Sequence, residues 1–239
     1  AEIGLYGAAY KVLDVISVIP TMFMGLLLPM MVAAWSKKEL ADFRSLLQQA
    51  LDFFSLFAFP LLGGALVLAE PLMRLVAGDA FSASGPYLQI LMVANTIVFF
   101  GVLSGHAVVG IGKQRAVLPA YFFTAAVAII LYILLIPRYG ATGAAWTTVI
   151  SEGLIASLTM WLVVKHTAFR AQFKGLIIYA ISTILMSLAV YGGVLFIGNV
   201  SHPSLLGLIA GGALVYGVLV LLLGGVKKET LQLILKRST

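Results

Sequence analysis

Seven apolar stretches recur along this chain at about 4–35, 50–69, 87–109, 117–136, 144–164, 176–197 and 205–226, the first longer than one crossing needs and the other six about 20 residues each. A helix needs roughly 20 residues to cross a hydrocarbon core of about 30 Å, and in lipid each spanning segment must satisfy its own backbone hydrogen bonds. The spacing therefore predicts an all-α polytopic membrane protein with seven transmembrane helices, one bundle over 1–226 and a cytoplasmic tail at 227–239. Composition points the same way, with 62% hydrophobic residues, 10% charged residues and a mean hydropathy of +1.09.

The same composition removes several function classes. The chain has no cysteine, so no disulfide framework, thiolate metal site or cysteine nucleophile is available. His106, His166 and His202 are scattered, with no HExxH and no carboxylates paired at a useful spacing, so neither an enzyme nor a metal or cofactor site is predicted. No basic run with interleaved aromatics suggests nucleic-acid binding.

Charge in the connections predicts the orientation. Lys37, Lys38, Arg44, Lys113, Arg115, Lys165, Arg170, Lys174, Lys227, Lys228, Lys236 and Arg237 fall in the odd-numbered connections and the tail, whereas the even-numbered ones hold only Arg74 and Arg138. The positive-inside rule then puts the odd connections and the C-terminus in the cytoplasm and residue 1 outside. A chain that starts outside without a signal segment reads as a fragment lacking at least one preceding span. The connection Ser36–Gln48 is polar and amphipathic, with Ser36 as a candidate N-cap and Glu39 three residues on. The tail KKETLQLILKRST reads as a basic amphipathic helix on an anionic leaflet or as a solvated end. Gly101/Gly105 and Gly207/Gly211 form GxxxG pairs, for which helix packing is the expected use, and Gly110–Arg115 reads as a tight turn.

The first stretch, Gly4–Trp35, is apolar along most of its length yet carries Lys11 and Asp14. At about 100° per residue, Tyr10, Lys11, Asp14, Ser17 and Thr21 share one arc of roughly 120°. An ionisable group in a bilayer costs about 2.5–3.5 kcal/mol on insertion scales, so it faces a bundle interior or wet cavity and finds a partner. Lys11 and Asp14, at i and i+3, are spaced to be that pair; alternatively both lie at the outer interface with the lysine snorkelling. Asn95 and Glu152 are the other polar groups deep in spans. Asn95 suits an interhelical hydrogen bond, and Glu152 either lines a cavity or binds an ion, or is hydrogen-bonded in packing.

Several segments resemble the polysaccharide-export branch of the multidrug/oligosaccharidyl-lipid/polysaccharide transporter superfamily, the O-antigen-type lipid-linked oligosaccharide flippases. GLYGAAYKVLDVISVIP followed by LLLPMM is similar to that family's eighth helix. FAFPLLGGALVLAEPLMRLVAGDAFSASGPYLQIL is similar to the next helix and a short outer helix, with Val76, Gly78, Phe81, Ala83 and Leu88 in the family's pattern. GIGKQRAVLPAYF and LLIPRYGATGAAWTTVISE resemble its most distinctive part, although the helix before Pro137 offers Tyr132 where the family often has asparagine.

The resemblance covers essentially the whole chain as helices eight to fourteen of fourteen. It implies most of the second lobe of a MATE-like transporter fold, with the first lobe as the missing N-terminal partner, in a bacterial inner membrane. The implied activity is flipping of a lipid-linked oligosaccharide for polysaccharide (O-antigen, lipopolysaccharide) biosynthesis by alternating access among membrane lipids, with a coupling proton or sodium ion. A cation-coupled multidrug exporter and a lipid II flippase are alternatives on the same fold. Lys11 is then the candidate partner of a pyrophosphate head, Asp14 its holder or an ion ligand, and Tyr10 a sugar-stacking ring. Ser17, Glu152 and Asn95 complete the candidate substrate-binding set.

Overall fold

The computed structural model describes residues 2–225, which form six α-helices and one short 3₁₀ turn. In chain order these are α1 (Glu2–Ser36), α2 (Leu40–Ala77), the 3₁₀ turn (Asp79–Ser84), α3 (Gly85–Gly110), α4 (Gln114–Thr167), α5 (Lys174–Ile197) and α6 (His202–Leu222). All six helices are long and apolar enough to cross a membrane, so the chain is an all-α polytopic membrane protein.

The helix count departs from the expected seven because the fourth and fifth apolar stretches are parts of one element. The 54 residues of α4 would run about 81 Å if straight, far beyond one bilayer. They do not run straight. Gly140 has φ 55° and ψ −136°, outside the helical region, and interrupts α4. A Cβ placed on Gly143 would lie 2.5 Å from the carbonyl oxygen of Leu135, eight residues earlier; in a continuous helix those residues are about 12 Å apart. The chain therefore doubles back at Gly140, and α4 is a hairpin of two arms, 114–139 and 141–167. A loop was expected between 136 and 144. One glycine turns the chain instead, since glycine adopts positive φ without a Cβ clash.

Three apolar clusters hold the elements together. One joins α1, α2, α3 and the lower part of α4 around Phe43, Phe54, Phe99 and Val163. A second, toward the other end, gathers Ala9, Leu13, Ala69, Met73, Leu91 and Ala145. The third packs α5 and α6 onto the opposite side of α2 through Leu68, Tyr179, Met186, Leu205 and Tyr216. Tyr216 donates to the carbonyl of Leu56 at 2.9 Å, which ties α6 directly to α2. Because lipid tails are as apolar as leucine, this packing depends on close contact rather than water exclusion. Gly63 shows how close: a Cβ there would stand 2.5 Å from both Ser187 Oγ and Thr183 Cγ2 of α5.

The expected GxxxG contacts are not found. Gly105, Gly207 and Gly211 have open space where a Cβ would go, and Gly101 leaves ordinary room beside Ala156. In α6 the glycine pressed against α5 is Gly212, next to Val190. One residue rotates the contact by about 100°, which takes Gly207 and Gly211 off the interface.

Both ends of the bundle are identifiable. Arg44 Nε donates to the carbonyl of Thr167 at 2.7 Å, and Gly110 lies against Met31 and Phe43. The α1–α2, α3–α4 and α4–α5 links therefore share one end, which carries Lys37, Lys38, Arg44, Lys113, Arg115, Lys165, Arg170 and Lys174. This is the basic end. Glu2, Gly140 and the 3₁₀ turn mark the far end.

At the basic end α2 begins earlier than expected, at Leu40, leaving a turn of only three residues after α1. Ser36 is not its N-cap. That position is Glu39, without a side-chain cap bond, while Ser36 Oγ donates to the carbonyl of Ala33 at 2.9 Å. The helix simply absorbs the amphipathic connection. Gly112, at φ 68°, makes the expected tight turn between α3 and α4. The tail at 227–239 lies outside the described residues.

Candidate functional site

α1 turns Ala9, Leu13, Pro20, Met24, Met31 and Ala34 into the bundle. On the helical wheel these occupy one side, and the stripe of Tyr10, Lys11, Asp14 and Thr21 flanks it, its centre roughly 120° round. All four stripe residues are exposed, and Ser17 is half-buried at the edge.

The edge of the stripe meets α3 and the second arm of α4. Ser17 Oγ stands 2.9 Å from both the Leu13 carbonyl and Asn95 Oδ1. One hydroxyl hydrogen serves one of these; turning the Asn95 amide over lets Ser17 donate to Leu13 and accept from Nδ2. Asn95 is 1% exposed, so it sits inside the α1–α3 contact and not on the stripe itself.

Tyr6 sets the register toward α4, its hydroxyl 3.5 Å from Thr148 Oγ1. Since α1 and the second arm run in the same direction, one further turn brings Tyr10 level with Glu152. Glu152 and Asp14 lie within electrostatic range of the Tyr10 phenol, and Tyr132 of the first arm lies within range of Tyr6 and Tyr10. The structure thus gathers Tyr10, Asp14, Glu152 and Tyr132 into one seam, with Tyr6 and Thr148 beside them. Tyr6 and Thr148 escaped the sequence reading. Each lies one turn before a residue already singled out, so extending both polar faces by four residues finds them.

Heights along the arm follow from the same register. Glu152 is twelve residues beyond Gly140, or about 18 Å along the second arm. To within about one turn, Lys11 is level with residue 153 and Asp14 with residue 156 of the second arm.

No ion pair joins Lys11 to Asp14, contrary to the expected pairing. The order is part of the reason: a base N-terminal to an acid is the weaker arrangement along a helix. The two positions also lie about 60° apart on the wheel, with Asp14 on the side toward the seam and Lys11 farther round.

Glu152 is half-buried and borders a cavity of about 610 Å³ between α3 and both arms of α4. Gly101 and Gly105 line one wall, and Tyr121, Thr124, Ser151 and His106 supply polar groups. Thr124 Oγ1 is buried there without a hydrogen-bond partner. His106 Nδ1 is 2.8 Å from the Val102 carbonyl, so that nitrogen carries the hydrogen and Nε2 remains for the cavity.

No protein-family model matches the chain. Over 223 residues, 93% of its length, it is 23% identical to the probable low-salt glycan biosynthesis flippase Agl15 of the archaeon Haloferax volcanii. The match covers 47% of that protein, so the chain spans about half the length of the curated relative.

Proposed function

We propose that this chain forms one lobe of a transporter that flips a lipid-linked glycan across the membrane by alternating access. The observation that carries the reading is the exposure of Lys11 and Asp14 within the apolar span of α1, with no ion pair between them. Two charges facing lipid there would each cost about 2.5–3.5 kcal/mol on insertion scales. Their face therefore belongs against a wet interior that this half of the molecule does not close by itself. The similarity to a glycan flippase about twice as long supports the same division into two lobes.

In this reading the O-antigen-type, MATE-like arrangement supplies the mechanism. Two lobes rock about a polar cavity that admits a charged, sugar-bearing head while the lipid tail stays in the bilayer. Lys11 contacts the phosphate of the head as a point charge. Tyr10 presents a ring to a sugar, and Asp14 and Glu152 hold the coupling proton or sodium ion. Ser17 and Asn95 fix α1 against α3 so that the stripe keeps its direction. The positive-inside rule puts the basic end in the cytoplasm, and in this reading the head group moves outward from that side.

The test is complementation of a flippase-null strain by the full-length protein and its Lys11→Ala variant, with surface glycan as the readout. Loss of a charge-assisted contact predicts about a tenfold or greater fall at equal protein abundance. Undiminished glycan would remove Lys11 from the mechanism, and failure of the unaltered protein to complement would remove the flippase reading.

A further inference from the structure

A second cup lies at the basic end, away from the polar seam. It has a volume of about 660 Å³ and is bounded by the first turns of α2 and the link at 168–173, with Arg44, Ser45, Gln48, Gln49 and Arg170 on its walls. From this arrangement we propose that the cup binds the head group of an anionic phospholipid, a phosphodiester bearing a polyol.

The cup is held open by specific bonds. Gln172 N donates to Gln48 Oε1 at 2.8 Å, and Gln48 Nε2 donates to the Gln172 carbonyl at 3.2 Å and to Asp52 Oδ1 at 3.0 Å. These fasten the link to α2, with Ala168 in the left-handed region at φ 51° to end α4. Arg44 is half-buried and donates through Nε to the Thr167 carbonyl, which orients its guanidinium and leaves both terminal nitrogens for a ligand. Arg170 is exposed and makes no ion pair among the described residues.

Asp52, the acidic group in the wall, is directed elsewhere. Its Oδ1 lies 2.9 Å from the Cβ position of Gly175 in the first turn of α5, where backbone N–H groups favour a carboxylate. The lining therefore carries two arginines against one carboxylate and is positive on balance. Ser45 and Gln49 add neutral hydrogen-bonding groups suited to hydroxyls.

The position suits a lipid head. Trp161 is 59% exposed, with Lys165 Nζ 5.0 Å from its ring centre. An outward tryptophan next to lysine marks the interfacial level of a span. The cup begins about two turns beyond Trp161, at the depth of phosphates, and basic pockets between helices at such an end bind anionic lipid heads.

The experiment uses the full-length protein in neutral detergent, titrated with phosphatidylglycerol, phosphatidylcholine or inorganic phosphate and read by native mass spectrometry and thermal shift. Phosphatidylglycerol should bind and raise the midpoint, while phosphatidylcholine should not. Arg170→Gln should weaken phosphatidylglycerol about fivefold, and Arg44→Gln with Arg170→Gln about thirtyfold. Because Arg44 also caps α4, the single Arg170→Gln variant is decisive if the double variant does not fold. Unchanged phosphatidylglycerol affinity in Arg170→Gln overturns the site. Inorganic phosphate binding as tightly as phosphatidylglycerol overturns the lipid assignment and makes the cup a site for a soluble anion.

Discussion

Asn95 and Glu152 carry similar polarity into the membrane but are placed for different work. Asn95 is sealed between α1 and α3 against Ser17. Its replacement by alanine should lower stability by about 0.6–1.7 kcal/mol, the range for interhelical hydrogen bonds in lipid, as measured by unfolding in mixed micelles. No loss of stability would mean that the Ser17 contact contributes nothing. Glu152 borders the cavity between α3 and α4 and is only half-buried. Glu152→Gln keeps the shape, so it should leave the unfolding midpoint unchanged while reducing surface glycan in complementing cells. A fall in stability with normal glycan would instead make Glu152 a packing residue. Periodicity sufficed to find both residues. It did not separate their roles, because that depends on which neighbour each face meets.

At the scale of the element, α4 turns on Gly140. Any side chain there meets two penalties: a positive φ that L residues avoid, and the Glu2 carboxylate 2.5 Å from the Cβ position. Gly140→Ala should cost about 1–3 kcal/mol, the usual range for a strained backbone position. Glu2 is a flexible side chain at the start of α1 and can move aside, so adding Glu2→Ala should recover little. Full recovery by Glu2→Ala would show that the clash and not the φ sets the cost, and thermal unfolding of the two variants distinguishes them. The PRYG segment marked a break in the sequence, and PRYG with GAA formed part of the resemblance. Its compactness was not legible, because the return of the second arm onto the first depends on the contact between Gly143 and Leu135. The GxxxG pairs misled for a related reason. Spacing identifies a smooth stripe on a helix, but only the neighbour decides whether the stripe is used.

Across the whole molecule, the basic residues of the described links, Arg74 and Arg138 excepted, collect at one end although they are far apart in the chain. With no native cysteine, single cysteines report the sidedness cleanly. Lys38→Cys and Lys113→Cys should react with an impermeant maleimide only in inverted vesicles, and Asp79→Cys only in intact cells. Labelling of Lys113→Cys and Asp79→Cys from the same side would break the bundle orientation. The division of labour between sequence and structure follows from the range of the forces. Hydropathy and backbone satisfaction act within a segment, so the sequence alone determined that the chain is helical, that it spans the membrane and which end is basic. The resemblance motifs and the stripe on α1 were equally local. Which residues share a seam was decided only by packing: the register of Tyr6 on Thr148, the fold-back at Gly140 and the docking of α5 and α6 on α2. In a bilayer, helices associate through close van der Waals fit and a few hydrogen bonds, and that fit depends on surfaces remote in sequence. Lys11 and Asp14 show the difference most clearly. Their spacing suggested a pair, and the fold left them without an ion pair between them, exposed on α1.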